Sequence, residues 1–146
     1  MNFVPELQIN LTLVRIEMPY ETDLRITVRK SVGDKKPESA VGRSAWDVLS
    51  YPSISEPSPS YEIYFPEFIT YCVTDENLYA GDPDSESEGI QFRRFKKSRF
   101  LEYVQSTTYG PDIYPGSRFH YGIYCLNMCV DVIAASAPTI RYLGEY

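Results

Sequence analysis

Nucleophilic catalysis needs a base within hydrogen-bond reach of a hydroxyl or thiol, and among 146 residues His120 is the one histidine that could serve a Ser, Thr or Cys. The chain has no Gly-x-Ser-x-Gly elbow, phosphate-binding glycine loop or helical His-Glu-x-x-His. The alternative role for His120 is a hydrogen-bonded residue of a central strand. By count, His120 with Cys72, Cys125 and Cys129 makes a Cys3His set. However, His120 and Cys125 are separated by an odd number of residues and face opposite sides of a strand. The expectation is three reduced, mostly buried thiols, with no metal and no cofactor. The acids Asp82, Asp84, Glu86 and Glu88 imitate a calcium loop, but no glycine stands at its sharp turn and Arg93 occupies the twelfth position. Together with Asp75 and Glu76 they read as solvated carboxylates.

Charge layout is the stronger signal. Between Arg43 and Arg93 there is no Lys or Arg, although an even spread of the fourteen basic residues would put four or five there. The same 49 positions hold ten acids: Asp47, Glu56, Glu62, Glu67, Asp75, Glu76, Asp82, Asp84, Glu86 and Glu88. Arg93, Arg94, Lys96, Lys97 and Arg99 follow at once. One reading pairs this basic cluster with the acidic stretch before it. The other makes the acids a solvent-facing negative surface that steers a basic protein partner. Thirteen tyrosines add to the second, because Tyr offers large contact area at small entropic cost. The expected partner surface is Tyr61, Tyr64, Tyr71, Asp75, Glu76, Tyr79, Asp82, Asp84, Glu86 and Glu88. An alternative pocket, for a small ligand or a reaction, is His120, Asn127 and Asp131.

Composition bounds these readings. A chain 43% apolar and 23% charged suits one globular domain, residues 1–146. A net charge of −6 argues against nucleic acid as a partner. No apolar run approaches a membrane span, and Met1–Glu6 lacks the features of a signal peptide, so a cytoplasmic protein is expected.

The elements that must position these groups follow from hydrophobic period. Leu7, Ile9, Leu11 and Leu13 alternate as in a half-buried strand, and the alternation shifts by one at Val14, as at a bulge. Strands are predicted over 7–17, 23–30, 61–74, 118–126 and 128–135, with a corner near Pro66 and a short strand at 90–93 leading to Ser98. Residues 31–43 read as a loop, 44–49 as one or two helical turns, 52–60 as a proline-rich linker and 80–89 as a loop. Ser98 is a fitting N-cap for a helix over 98–107, closed by Gly110 and Pro111. The expected fold is α+β: a curved antiparallel sheet of five to seven strands packed with one main helix.

Residues 61–140 carry a further pattern: Tyr61-Glu62-Ile63-Tyr64-Phe65, Ile69-Thr70-Tyr71, Thr74-Asp75-Glu76, Phe92 and Lys97-Ser98-Arg99-Phe100-Leu101. It continues in His120-Tyr121-Gly122-Ile123-Tyr124-Cys125-Leu126-Asn127, Val130-Asp131-Val132-Ile133 and Pro138-Thr139-Ile140. This pattern resembles small bacterial cytosolic proteins of the immunity type found in polymorphic toxin systems. The resemblance implies a non-catalytic inhibitor that occludes a toxin or other enzyme.

Overall fold

The computed structural model describes residues 5–31, 57–108 and 118–145. The expected loop at 31–43 apart from its first residue, the helical turns at 44–49, the first part of the linker and the Gly110-Pro111 helix stop lie outside them. Among the described residues, alternating apolar side chains give β1 (Leu11–Glu17), β2 (Leu24–Lys30) and β3 (Pro59–Phe65). Next come β4 (Phe68–Asp75), β5 (Glu86–Gly89), β6 (Phe92–Lys97) and the helix α1 (Arg99–Thr107). The chain then forms β7 (Phe119–Tyr124), β8 (Met128–Ala134) and β9 (Thr139–Glu145).

These strands form two antiparallel sheets rather than one curved sheet, ordered β1-β2-β3-β9 and β4-β8-β7-β6-β5. The chain passes from one to the other at the Pro66-Glu67 turn, so the expected corner is where the strand predicted over 61–74 splits between sheets. Proline cannot donate to a ladder and favours such a break. The phase shift at Val14 is a bulge, with the β1–β2 register slipping between Leu13 and Arg15. The expected loop at 80–89 contains the short strand β5, and β9 is an additional strand beyond those anticipated.

One apolar core draws on both sheets. Leu11, Leu24, Ile26, Val28, Ile63 and Phe65 from the first meet Phe92, Tyr121, Ile123, Val130 and Val132 from the second. Complete burial of a Leu, Ile or Phe side chain stabilises by about 1.5–3 kcal/mol, so this inter-sheet layer dominates the fold. Both faces of β7 and β8 are buried, as their nearly continuous apolar sequence implies. On the outer face they meet α1, whose Val104 is buried. Among the described residues no helix is long and apolar enough to cross a membrane.

Candidate functional site

The outer face of the second sheet carries a buried chain of polar side chains. In β7 and β8, His120 and Asp131 lie on the side away from the inter-sheet core, because Tyr121, Ile123, Val130 and Val132 take the other side. His120 Nε2 is 2.7 Å from Asp131 Oδ1. On the other side of the ring, Nδ1 is 2.6 Å from Ser98 Oγ. Tyr124 donates its hydroxyl proton to the same Asp131 oxygen at 2.7 Å, and Tyr79 donates to Tyr124 at 2.8 Å. Ser98, His120 and Asp131 are 3%, 2% and 7% exposed, so these bonds replace almost all of their contact with water.

Local structure fixes each member. Ser98 has extended backbone at the point where β6 gives way to α1, and its Oγ accepts the Leu101 N–H at 3.0 Å as the helix cap. The imidazole is stacked on Phe95, with ring centres 4.1 Å apart, and packs edge-to-face with Phe100 at 5.4 Å. Gly122, opposite Asp131 in the ladder, leaves room for Tyr124. A Cβ there would stand 2.6 Å from Tyr124 Cζ and 3.0 Å from Phe95 Cε2. Burial raises the hydroxyl pKa of Tyr124 above the usual tyrosine value, and that of Tyr79 to about 12, so both remain donors at neutral pH.

Beside Ser98 lies a polar cleft of about 350 Å³ lined by Asp82, Asp84, Lys97, Ser98, Arg99 and Glu102. Arg99 closes one side of it, with Nη2 at 2.9 Å from Asp84 and Nε at 3.6 Å from Asp82. A hydroxyl held against an oriented imidazole at the edge of a cleft is an arrangement capable of proton transfer and nucleophilic attack.

The alternative pocket expected from sequence is thus assembled in part. His120 and Asp131 meet, but Asn127 belongs elsewhere: its amide brackets Leu13, accepting the N–H at 2.9 Å and donating to the carbonyl at 3.0 Å. It ties the β7–β8 turn to β1. Sequence reasoning placed Ser98 as the helix cap and missed that the same hydroxyl reaches His120 from 22 residues away.

The residues expected to bind a partner are spread over both sheets. Tyr61 and Tyr64 stand on β3 of the first sheet, Tyr71 and Asp75 on β4 of the second. Tyr61 and Tyr71 pack against the core, Tyr64 donates to Asp23, and Tyr79 donates to Tyr124. Asp82 and Asp84 engage Arg99. The strand β5 pairs with the basic β6, setting Glu86 opposite Lys97 and Glu88 opposite Arg94. Glu62, expected in solvent with the other acids, is buried between Arg25 and Arg141, at 2.7 and 3.2 Å. A buried carboxylate is stable only with such partners, and they come from β2 and β9, the two strands that flank β3 in the sheet though far from it in sequence. Cys125 and Cys129 are buried as expected, whereas Cys72 is exposed because it lies on the edge strand β4. Among the described residues no three His, Cys, Asp or Glu side chains converge as a metal site would require.

One end of the sandwich gathers segments that sequence reasoning had not grouped. Gln8 Oε1 accepts the N–H groups of Ile90 and Gln91, and Gln91 Oε1 accepts that of Leu11. The Leu126 N–H donates to the Leu11 carbonyl, and the Glu76 N–H to that of Asn127. Four large apolar residues in or beside these segments are exposed: Ile9 by 57%, Leu78 by 79%, Ile90 by 63% and Leu126 by 46%. Asp75, Glu76 and Glu88 lie on the same segments or within two residues of them.

Compared with family models, curated proteins and solved structures, the chain matches none of them.

Proposed function

We propose that this chain is a binding protein of the immunity type, which occludes a basic protein partner, a toxin or another enzyme, without turnover at the contact. The supporting observation is the sandwich end, where Ile9, Leu78, Ile90 and Leu126 expose apolar surface beside Asp75, Glu76 and Glu88. Apolar groups left in water at an acidic rim suit a partner that desolvates the first and complements the second. Of the surface expected from sequence, this reading keeps Asp75, Glu76 and Glu88 and replaces the internally engaged tyrosines by apolar anchors. The steering acts within a Debye length of about 8 Å at physiological salt, so association slows as salt rises.

The test is co-expression with the product of the neighbouring gene, followed by size exclusion and association kinetics. A complex whose on-rate falls with salt and with Asp75→Lys plus Glu76→Lys, and whose dissociation quickens with Leu126→Glu, supports the reading. A complex indifferent to all three changes places the contact elsewhere and rejects it.

A further inference from the structure

We infer that Ser98 is an activated nucleophile, with His120 as its general base and Asp131 as the residue that orients the imidazole, and that it accepts the acyl group of a small polar ester held in the adjoining cleft. The inference does not rest on the binding reading, since it uses other residues.

Hydrogen-bond chemistry sets the direction of proton flow. A carboxylate can only accept, so His120 Nε2 carries the proton that faces Asp131 Oδ1 at 2.7 Å. In the neutral ring Nδ1 is then an acceptor, and the Ser98 hydroxyl 2.6 Å away donates to it. That is the protonation pattern from which a serine is deprotonated as it attacks. The Tyr124 hydroxyl, shared with the same Asp131 oxygen, holds the carboxylate in place. A helix cap by itself asks only for a Ser98 lone pair. It requires neither an imidazole on the hydroxyl proton nor a carboxylate behind that imidazole, and burying both is costly.

Two further features lower the cost of drawing the proton off Ser98 Oγ. The Leu101 N–H points at Oγ from 3.0 Å, and Ser98 stands at the positive end of a nine-residue helix. Ser98 is only 3% exposed, so an ester reaches its hydroxyl only as the adjoining cleft opens. Its Arg99 wall is held to Asp84 by an ion pair in which both side chains are largely exposed, a kind of contact that is weak and screened by salt. The cleft's lining is ionic throughout, apart from Ser98, which selects a polar rather than a greasy ester.

In the step, Ser98 Oγ adds to the acyl carbon while its proton passes to His120 Nδ1. The ester C–O bond breaks, and the departing alkoxide takes that proton, leaving an acyl ester on Ser98. Water then adds to the acyl carbon, giving a proton to Nδ1. Collapse returns this proton to Ser98 Oγ and releases the carboxylic acid.

The experiment treats the folded full chain with a fluorophosphonate probe, whose phosphorus takes the serine oxygen and expels fluoride. Intact-mass and peptide analysis then follow the adduct. The expected result is one adduct per chain on the peptide carrying Ser98, none in Ser98→Asn, which still caps the helix, and a rate lowered about 10²–10⁴-fold in His120→Gln. Asp131→Asn should lower the rate at least tenfold and Asp131→Glu restore part of it, which separates positioning from bulk stability. Circular dichroism on each variant confirms that it is folded. The wild type needs no variant to fail: a folded chain that stays unlabelled, or is labelled away from Ser98, overturns the inference. A folded His120→Gln that reacts at the wild-type rate does the same.

Discussion

Gly122 and Tyr124 are coupled through space. The ring of Tyr124 lies where a Cβ on Gly122 would have to go, within 2.6 Å of Cζ and 2.7 Å of the hydroxyl. Gly122→Ala must therefore displace the ring that holds Asp131. It should cost about 1–3 kcal/mol of stability, in line with overpacking elsewhere. Urea unfolding measures the loss, and a second reading comes from reactivity at Ser98. An alanine variant as stable as the wild type would show that Tyr124 has another place to go.

Asn127 supplies a contrasting case. Its amide bonds to both backbone groups of Leu13, so Asn127→Ala should destabilise by about 1–3 kcal/mol through two groups left without partners. It touches none of Ser98, His120 or Asp131, so the rate at which Ser98 reacts in the folded protein should not change. Denaturant melts and probe kinetics on one preparation separate the two effects.

The three thiols should differ sharply. Burial pushes the Cys125 thiol up to about 12, with Cys129 adding to it, and burial raises Cys129 itself to about 11. Both stay protonated at pH 8, and the thiolate is the nucleophile, so iodoacetamide should modify exposed Cys72 quickly and the other two only on unfolding. Peptide mapping after brief alkylation reads this directly. Rapid modification of Cys125 in the native chain would contradict its burial.

Alkaline pH should destabilise the fold through the polar chain. Burial raises Tyr79 from 10.0 to about 12, so folding favours its neutral form. The stability this contributes is complete below pH 10 and is lost as pH rises through 12. Tyrosine absorbance at the alkaline end, followed with circular dichroism, should show late-titrating hydroxyls whose ionisation coincides with loss of structure. Tyr79→Phe should remove part of that late fraction.

The Arg99–Asp84 pair makes a prediction about access. Asp84 is 73% exposed and meets Arg99 at 2.9 Å, so Asp84→Asn should leave stability within about 0–1 kcal/mol. It should nevertheless speed modification of Ser98 several-fold, and added salt should have the same direction in the wild type. An unchanged rate in both cases would mean that this pair does not limit entry.

What could be read from sequence was whatever depends on neighbours along the chain. Leu24, Ile26 and Val28 mark β2 by alternation alone, Val14 betrays the bulge, Pro66 the corner, and Ser98 the start of α1. Pairing between distant segments was not legible. Glu62 looked like one more solvated acid because Arg25 and Arg141, which neutralise it, are remote in the chain. The acidic stretch looked unopposed until β5 folded back on β6. Ser98 had already been accounted for as a cap, and side-chain period says which face a residue takes, not which residue it meets there. A single histidine likewise cannot announce its partners.

The join between β3 and β9 has a consequence for how the chain is made. Ile63 pairs with Ile140 and Glu62 with Arg141, so the first sheet is completed by a strand separated from its neighbour by the whole second sheet. During synthesis β1, β2 and β3 leave the ribosome long before Thr139–Glu145 does, and until then the outer edge of β3 has no strand to pair with. Non-local closure of this kind is slow, and an uncovered strand edge invites pairing with another chain. The second sheet, whose strands are drawn from residues 68–134, can close its own ladder first. Nascent chains halted before Thr139 should accumulate with that sheet formed and β3 prone to aggregation, which makes the last strand the step that commits the molecule to its native state.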